Sequence, residues 1–319
     1  MTSRRPAPTI GVDLGGTNTR AAVVDHDGQV LAEAREHSPG TWPELTKVVA
    51  GSIQQLRDDH SDVAAVGVGA AGMVDRDGVV HYAPNLRLLI GAPLRAALAD
   101  TVDLPLIVDN DANVAAWGEA CHGAARRVRD ALVITLGTGV GGGIIANGRV
   151  YRGAHGFAAE VGHWQFDPNG PMCACGERGH WEAFASGTRL GRLARERAAS
   201  GVAPHVLERA GGRVEDITGV HVSESATAGE PDGHAILVEY AHFVALGFAG
   251  LVNILDPELI VVSGGLVKLG DVLLEPLRAG FRSHLEGAQY RPEVPIVAAA
   301  LGDRAGVIGA AALARELME

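Results

Sequence analysis

Short apolar runs bounded by glycine alternate along the chain with longer stretches of helical spacing. The first run, Thr9 to Asp13, reads as a buried strand ended by Gly15 and Gly16. Thr19 to Asp25 and Gln29 to Arg35 read as two more strands, joined by the hairpin signal Asp27-Gly28. From Pro43 to Asp58, Leu45, Val48, Val49, Ile53 and Leu56 share one face of a helix. Val63 to Val68 is a further apolar run, and Leu106 to Val108 a short strand followed by a helix from Ala112 to about Ala125.

A second cycle opens at Ala131. A strand to Leu136, a glycine-rich loop, a strand from Gly143 to Ala146 and the turn Asn147-Gly148 repeat the opening order. The repeat points to a weak internal duplication, with a boundary near 115–130, where Arg126, Arg127, Arg129 and Asp130 cluster. Arg189 to Ser200 and Ala235 to Leu255 have helical spacing, and Glu258 to Val262 and Val294 to Ala299 read as strands. Asp303 to Met318 reads as a terminal helix with Asp303 as its N-cap. Residues 1–8 read as a loose tail, and 211–234, polar and glycine-rich, as a flexible excursion.

Composition narrows this picture. The chain has 319 residues, which suggests two domains. Its 43 glycines, about twice average usage, fit an α/β protein with tight strand-to-helix loops. A net charge of −11 argues against a nucleic-acid partner, because phosphate contacts need clustered Lys and Arg. It leaves a nucleotide substrate open, since Mg²⁺ and backbone N–H groups neutralise phosphates locally. No uninterrupted apolar run is long enough for a membrane span, and Gly250 to Leu266 is broken by Asp256, Pro257 and Glu258. No signal peptide is evident, and three cysteines argue against a disulfide framework, so a cytoplasmic protein is expected.

Three glycine loops follow apolar strands: Asp13 to Arg20, Leu136 to Gly143, and Ser263-Gly264-Gly265. Strand ends free backbone N–H groups, and glycine admits a phosphate closely. Thr17 and Thr138 add hydroxyl donors. Any one loop could be a plain turn, but three in one chain, two with Gly-Thr, favour phosphate. Two segments match the dinucleotide fingerprint, Gly137-x-Gly139-x-x-Gly142 and Gly67-x-Gly69-x-x-Gly72, but strand and turn patterns follow them where a helix is required. A dehydrogenase is therefore disfavoured.

Asp109-Asn110-Asp111-Ala112-Asn113 falls at the C-terminal end of a strand, where open α/β sheets bind ligands. Asp111 is either the N-cap of the following helix or a base for a hydroxyl proton. Asp13 could orient Mg²⁺ through water, or be a turn residue. His163, Cys173, Cys175 and His180 offer four donors suited to tetrahedral Zn²⁺, in a spacing unlike that of zinc fingers. Glu160 and Glu182 flank them and could accept sugar hydroxyls.

Taken together, DLGGTNTR (13–20), GVGAAGMVD (67–75), APNL (83–86), DNDAN (109–113), LGTGVGGG (136–143), GAHGFAAEVGH (153–163), CACGERGHWEAFASG (173–187) and SGG (263–265) resemble, in order and over nearly the whole chain, the ROK family of sugar kinases and repressors. The bacterial glucokinases of that family are the most similar in pattern. The resemblance implies an α/β fold of two actin-like, ribonuclease H-like domains with a cleft between them. One would span 1–120, with helix 303–318 packed back on it, and the other 121–302, with a zinc-loop insertion. It puts the catalytic base on Asp111, sugar contacts on Asn85, Asn110, Asp111, Glu160, His163 and Glu182, and phosphate contacts on Gly15, Gly16, Thr17 and Gly137-Thr138-Gly139, with Gly264 and Gly265 and Asp13 beside them. The zinc ligands fall on His163, Cys173, Cys175 and His180, the last where the family usually has Cys. The family's repressors carry an N-terminal helix-turn-helix segment that is not found ahead of Thr9 here.

The expected reaction is transfer of phosphate from Mg·ATP to the 6-hydroxyl of glucose, with structural zinc. Asp111 needs no raised pKa for it, because proton transfer comes late in a loose transition state. Alternatives are a kinase for another hexose, an N-acetylhexosamine or a cyclitol, a polyphosphate-using kinase, and a non-catalytic sugar-responsive regulator. A homodimer or homotetramer is a family-level expectation.

Overall fold

The structure, a computed structural model, describes residues 6–84 and 86–318. Asn85 lies outside them. The chain forms two compact units, the first from residues up to 133, 143–159 and from 300 onward, the second from 134–142 and 160–299.

Strands β1 (Thr9–Leu14), β2 (Asn18–Val24), β3 (Val30–His37), β4 (Val66–Ala70) and the later β7 form one sheet in the order β3-β2-β1-β4-β7. A small hairpin, β5 (Met73–Val74) and β6 (Val80–Tyr82), precedes β7 (Leu106–Asn110). β1 to β3 are antiparallel neighbours, while β4 and β7 run parallel to β1. The second sheet has the order β10-β9-β8-β11-β12, from β8 (Ala131–Leu136), β9 (Val140–Ala146), β10 (Arg149–Val150), β11 (Leu259–Ser263) and β12 (Ile296–Ala298). The same third-second-first-fourth-fifth order in both sheets is the duplication legible in the sequence.

On one face of the first sheet lie α1 (Trp42–Asp59) and α2 (Leu94–Ala99), whose Leu45, Val49, Ile53, Leu94 and Leu98 join the strand side chains in the main core. α3 (Asp111–His122) follows β7 directly. The second unit holds α4 (Glu182–Ala185), α5 (Gly187–Ala199), α6 (Pro204–Arg209), α7 (Gly219–Thr227), α8 (Pro231–Leu255) and α9 (Asp271–His284). α10 (Ala305–Arg315) returns to the first unit, where Val307, Ile308 and Ala311 pack on Ala22 and Val24, and Ala310 and Leu313 on Val114.

Glycine does more here than form loops. A Cβ on Gly11 of β1 would lie 1.8 Å from the Val307 carbonyl oxygen, and one on Gly67 of β4 1.9 Å from that of Ala310. Bare strand backbone is what lets α10 lie so close, so part of the glycine excess serves packing inside the sheet.

Two expectations need correction. Residues 211–234 are not an excursion: they hold α7 and the start of α8. Asp303 is not the helix cap, because α10 begins at Ala305 after a 3-10 turn over Gly302–Arg304. By length and composition α8 could cross a membrane, although no uninterrupted apolar run suggested it. Of its most apolar window 61% is buried inside the fold, as in a core helix.

Candidate active site

In the first unit the site grows from the ends of β1 and β7, which flank β4. Beyond β1, the turn Gly15 to Thr17 leads into β2, with Gly16 and Thr17 exposed. The turn is held by Gly15 N–H on the Asn18 carbonyl (3.1 Å), Ser38 N–H on that of Thr17 (2.9 Å) and Ser38 Oγ–H on that of Gly15 (2.8 Å). Asp13 sits against the first turn of α10, where a Cβ on Gly306 would lie 2.7 Å from its carboxyl. Burial, and then the negative charge of Asp111, push Asp13 up to about 6, against the pull of Arg20.

At the end of β7 the roles of Asn110 and Asp111 separate. The N-cap of α3 is Asn110: its Oδ1 accepts from Ala112 N–H (2.9 Å) and Asn113 N–H (3.0 Å), and its Nδ2 donates to the Gly72 carbonyl (2.9 Å). Asp111 is therefore spared the capping role that sequence allowed it. Its carboxylate, half-buried, accepts one bond, from Ala112 N–H at 2.9 Å. Burial raises its pKa, with that N–H opposing, so the structure makes a stronger base than the reaction was expected to need.

In the second unit, Gly137 to Val140 connects β8 to β9. Gly187 N–H donates to the Gly137 carbonyl (2.7 Å) and Thr188 Oγ1 to that of Thr138 (2.7 Å). No helix starts at this loop, in keeping with the dismissal of the dinucleotide fingerprint. Gly264, at a φ of 90° where side chains are disfavoured, passes 2.4 Å from the Leu136 carbonyl oxygen at its Cβ position. A pocket of about 590 Å³ opens beside these turns, bordered by Thr138, Thr188, Arg195, Thr218, Glu224 and Leu266 among others. Its size suits a nucleoside. Thr188, Arg195, Thr218 and Glu224 were not among the sequence candidates. The usable signal was Gly187-Thr188, a further Gly-Thr pair beside Gly16-Thr17 and Gly137-Thr138.

The Cys/His group also lies in the second unit. One ligand atom from each of His163, Cys173, Cys175 and His180 lies within 4.8 Å of all the others. Cys175 Sγ and His180 Nδ1 are 3.2 Å apart, and Cys173 Sγ and His163 Nδ1 3.8 Å. All three cysteines are free thiols. Two thiols and two imidazoles converging in this way fit tetrahedral zinc. Burial, with the Glu182 carboxylate alongside, pushes the Cys173 thiol up to about 12.

Glu182 connects this group to the glycine loop. Its Oε1 accepts from the Cys173 thiol at 3.2 Å and its Oε2 from Val140 N–H at 2.9 Å. Its neighbour Trp181, fully buried, anchors it: the indole fills the space over Gly247 of α8 and donates to the Phe243 carbonyl at 3.0 Å. Glu160 is exposed at the head of the 3-10 turn Val161–His163.

A sequence profile of the ROK family matches residues 9–317. The chain belongs to the ROK family. It is 42% identical over 311 residues to a glucokinase of Streptomyces coelicolor, covering 97% of this chain and 98% of that one. It resembles the crystal structure of a ROK family glucokinase from Streptomyces griseus in complex with glucose and AMPPNP. The TM-score is 0.84, with 41% identity over 97% of this chain and 99% of that one. The ROK hexokinase of Thermus thermophilus gives a TM-score of 0.82 at 30% identity, with 98% and 99% covered. The fold of this ROK protein is thus the two-domain actin-like ATPase fold.

Proposed function

We propose that the chain is an ATP-dependent glucokinase that transfers the γ-phosphoryl group of ATP to the 6-hydroxyl of glucose. The observation that carries this reading is the full-length likeness to a glucokinase crystallised with glucose and AMPPNP. The local chemistry agrees with it: Asp111 is relieved of capping by Asn110 and has its pKa raised by burial.

Asp111 accepts the proton of the 6-hydroxyl while that oxygen attacks the γ-phosphorus in line and ADP leaves. Asn110 retains one Nδ2–H for a sugar oxygen after its bond to Gly72. Glu182, Glu160 and His163 accept or donate to further hydroxyls, and Asn85 is kept as a sugar contact from the family pattern. Glu182 keeps lone pairs on both oxygens after accepting from Val140 N–H. The Gly15–Thr17 and Gly137–Gly139 loops offer N–H groups to the phosphates, with Gly264 and Gly265 closing the nucleotide side. Mg²⁺ bound with ATP supplies charge neutralisation at the phosphates, and Asp13 is the carboxylate that would hold it. Zinc would be held by His163, Cys173, Cys175 and His180, and would supply a cross-link that fixes the loop before Glu182.

The test is ADP release with Mg·ATP across glucose, fructose, an N-acetylhexosamine and a cyclitol, with Asp111→Ala as control. Turnover with glucose, lost in Asp111→Ala while glucose still binds, supports the reading. Preference for another sugar keeps the chemistry and changes the substrate. Turnover retained by Asp111→Ala removes the base assignment.

A further inference from the structure

We propose that Arg152 is a positioning residue for the base: by gripping Asp109 it sets the first turn of α3 and so aims the Asp111 carboxylate. The inference rests on the reading of Asp111 given above. Asp109, on β7 two residues before Asp111, is only 5% exposed. A carboxylate so buried needs partners. Its Oδ2 accepts from Arg152 Nε at 2.5 Å. Its Oδ1 accepts from Asn110 N–H at 2.7 Å and from Asn113 Nδ2 at 3.1 Å. One carboxylate thus holds the residues on both sides of Asp111, and one guanidinium holds that carboxylate.

Arg152 arrives from a distant part of the chain, just after β10, on a loop that is itself secured. Arg76 Nε and Nη2 donate to the carbonyls of Ala154 (3.1 Å) and Gly153 (2.7 Å), and Ala158 N–H donates to the Arg152 carbonyl (3.2 Å). Other restraints on α3 run along its length, beginning with the Asn110 Nδ2–H bond to the Gly72 carbonyl at its head. Gly143 of β9 lets Ala116 and the Ala112 carbonyl pack close, with a built Cβ 2.4 and 2.9 Å away, and Gly309 of α10 sits against the Val114 carbonyl. Those restraints are uncharged. The Arg152–Asp109 pair adds a charged grip at the helix head, where the direction of Asp111 is decided. Without Arg152, Asp109 Oδ2 loses its guanidinium partner, and a carboxylate that turns to find another draws Asn110 and Asn113 with it.

The experiment measures kcat and KM for glucose and Mg·ATP in the wild type, Arg152→Met, Arg152→Lys, Asp109→Asn and the Arg152→Met/Asp109→Asn double variant. Each is assayed below the onset of its own melting curve. Arg152→Met is expected to lower kcat about 10- to 100-fold, the scale of an ångström of misplacement, with both KM values nearly unchanged. Arg152→Lys should recover part of that kcat. The double variant should turn over like the poorer single variant, because paired residues fail as a unit. A wild-type kcat in Arg152→Met, a loss carried by KM, or losses that multiply in the double variant would each overturn the proposal. Where Arg152→Met does not fold, Arg152→Lys against Asp109→Asn makes the same comparison. A wild type without turnover on any sugar removes the reading of the site and this inference with it; an active wild type beside a normal Arg152→Met removes the inference alone.

Discussion

Gly137 and Gly139 sit in one loop and look alike in sequence, yet alanine should affect them differently. A Cβ on Gly139 would lie 2.2 Å from Glu182 Oε2, whereas one on Gly137 meets nothing within 4 Å. Glu182 escapes the Gly139 clash by turning its Oε2 away from Val140 N–H. A hydrogen bond to a charged group is worth about 1.5–3 kcal/mol net. Alanine returns about 0.4–1 kcal/mol by restricting the unfolded chain. Gly139→Ala should therefore cost the protein about 1–2 kcal/mol, while Gly137→Ala should be neutral or stabilise by up to about 1 kcal/mol. Ligand-free melting followed by tryptophan fluorescence reads this directly, since Trp181 is the neighbour of Glu182 in the chain. The two variants should differ by several degrees, at about 2–4 °C per kcal/mol for a domain of this order. If the whole loss fell on nucleotide binding, the Mg·ATP dissociation constant would rise by at most about 30-fold. Equal melting of the two variants, or a Gly139→Ala protein as stable as wild type, would refute the account of Glu182 as the strut of this loop.

The remaining predictions concern charge and metal. Asp13 is raised from 3.8 to about 6 in the folded protein, so its ionisation costs nothing below pH 4, costs progressively more up to pH 6, and costs its full amount above that. That amount is about 3 kcal/mol, from roughly two pH units at about 1.4 kcal/mol each. Asp13→Asn should therefore raise the melting temperature of the ligand-free protein at neutral pH and leave it unchanged near pH 4; an equal gain at both would exclude a titration origin. Purified protein should carry about one zinc per chain by emission spectrometry, and Cys175→Ser should lower both metal content and melting temperature. A metal-free wild type with full activity and unchanged stability would rule out the zinc centre.

Much of the candidate site was legible because its signals are local. Strand-then-glycine at Asp13 to Thr17 and at Leu136 to Gly139, the acidic cluster on β7, and the spacing of His163, Cys173, Cys175 and His180 each lie within a short stretch of chain. Local period and composition report backbone conformation and donor type, and the repeated order of elements foretold two sheets of like topology. The polarity of 211–234 misled, because α7 is short and offers only Val222, Ser225 and Ala226 to burial, too few for a readable stripe.

What sequence alone determined, then, was the set of strands, the glycine turns at their ends and the inventory of donors beside them. Tertiary structure decided which of those donors are free for chemistry. Asn110 rather than Asp111 caps α3, Glu182 braces a loop 42 residues away, and Arg152 answers a carboxylate 43 residues earlier. Such pairings are set by burial: a desolvated carboxylate must find partners wherever the folded chain brings them, and no spacing in the sequence records which residue will be there.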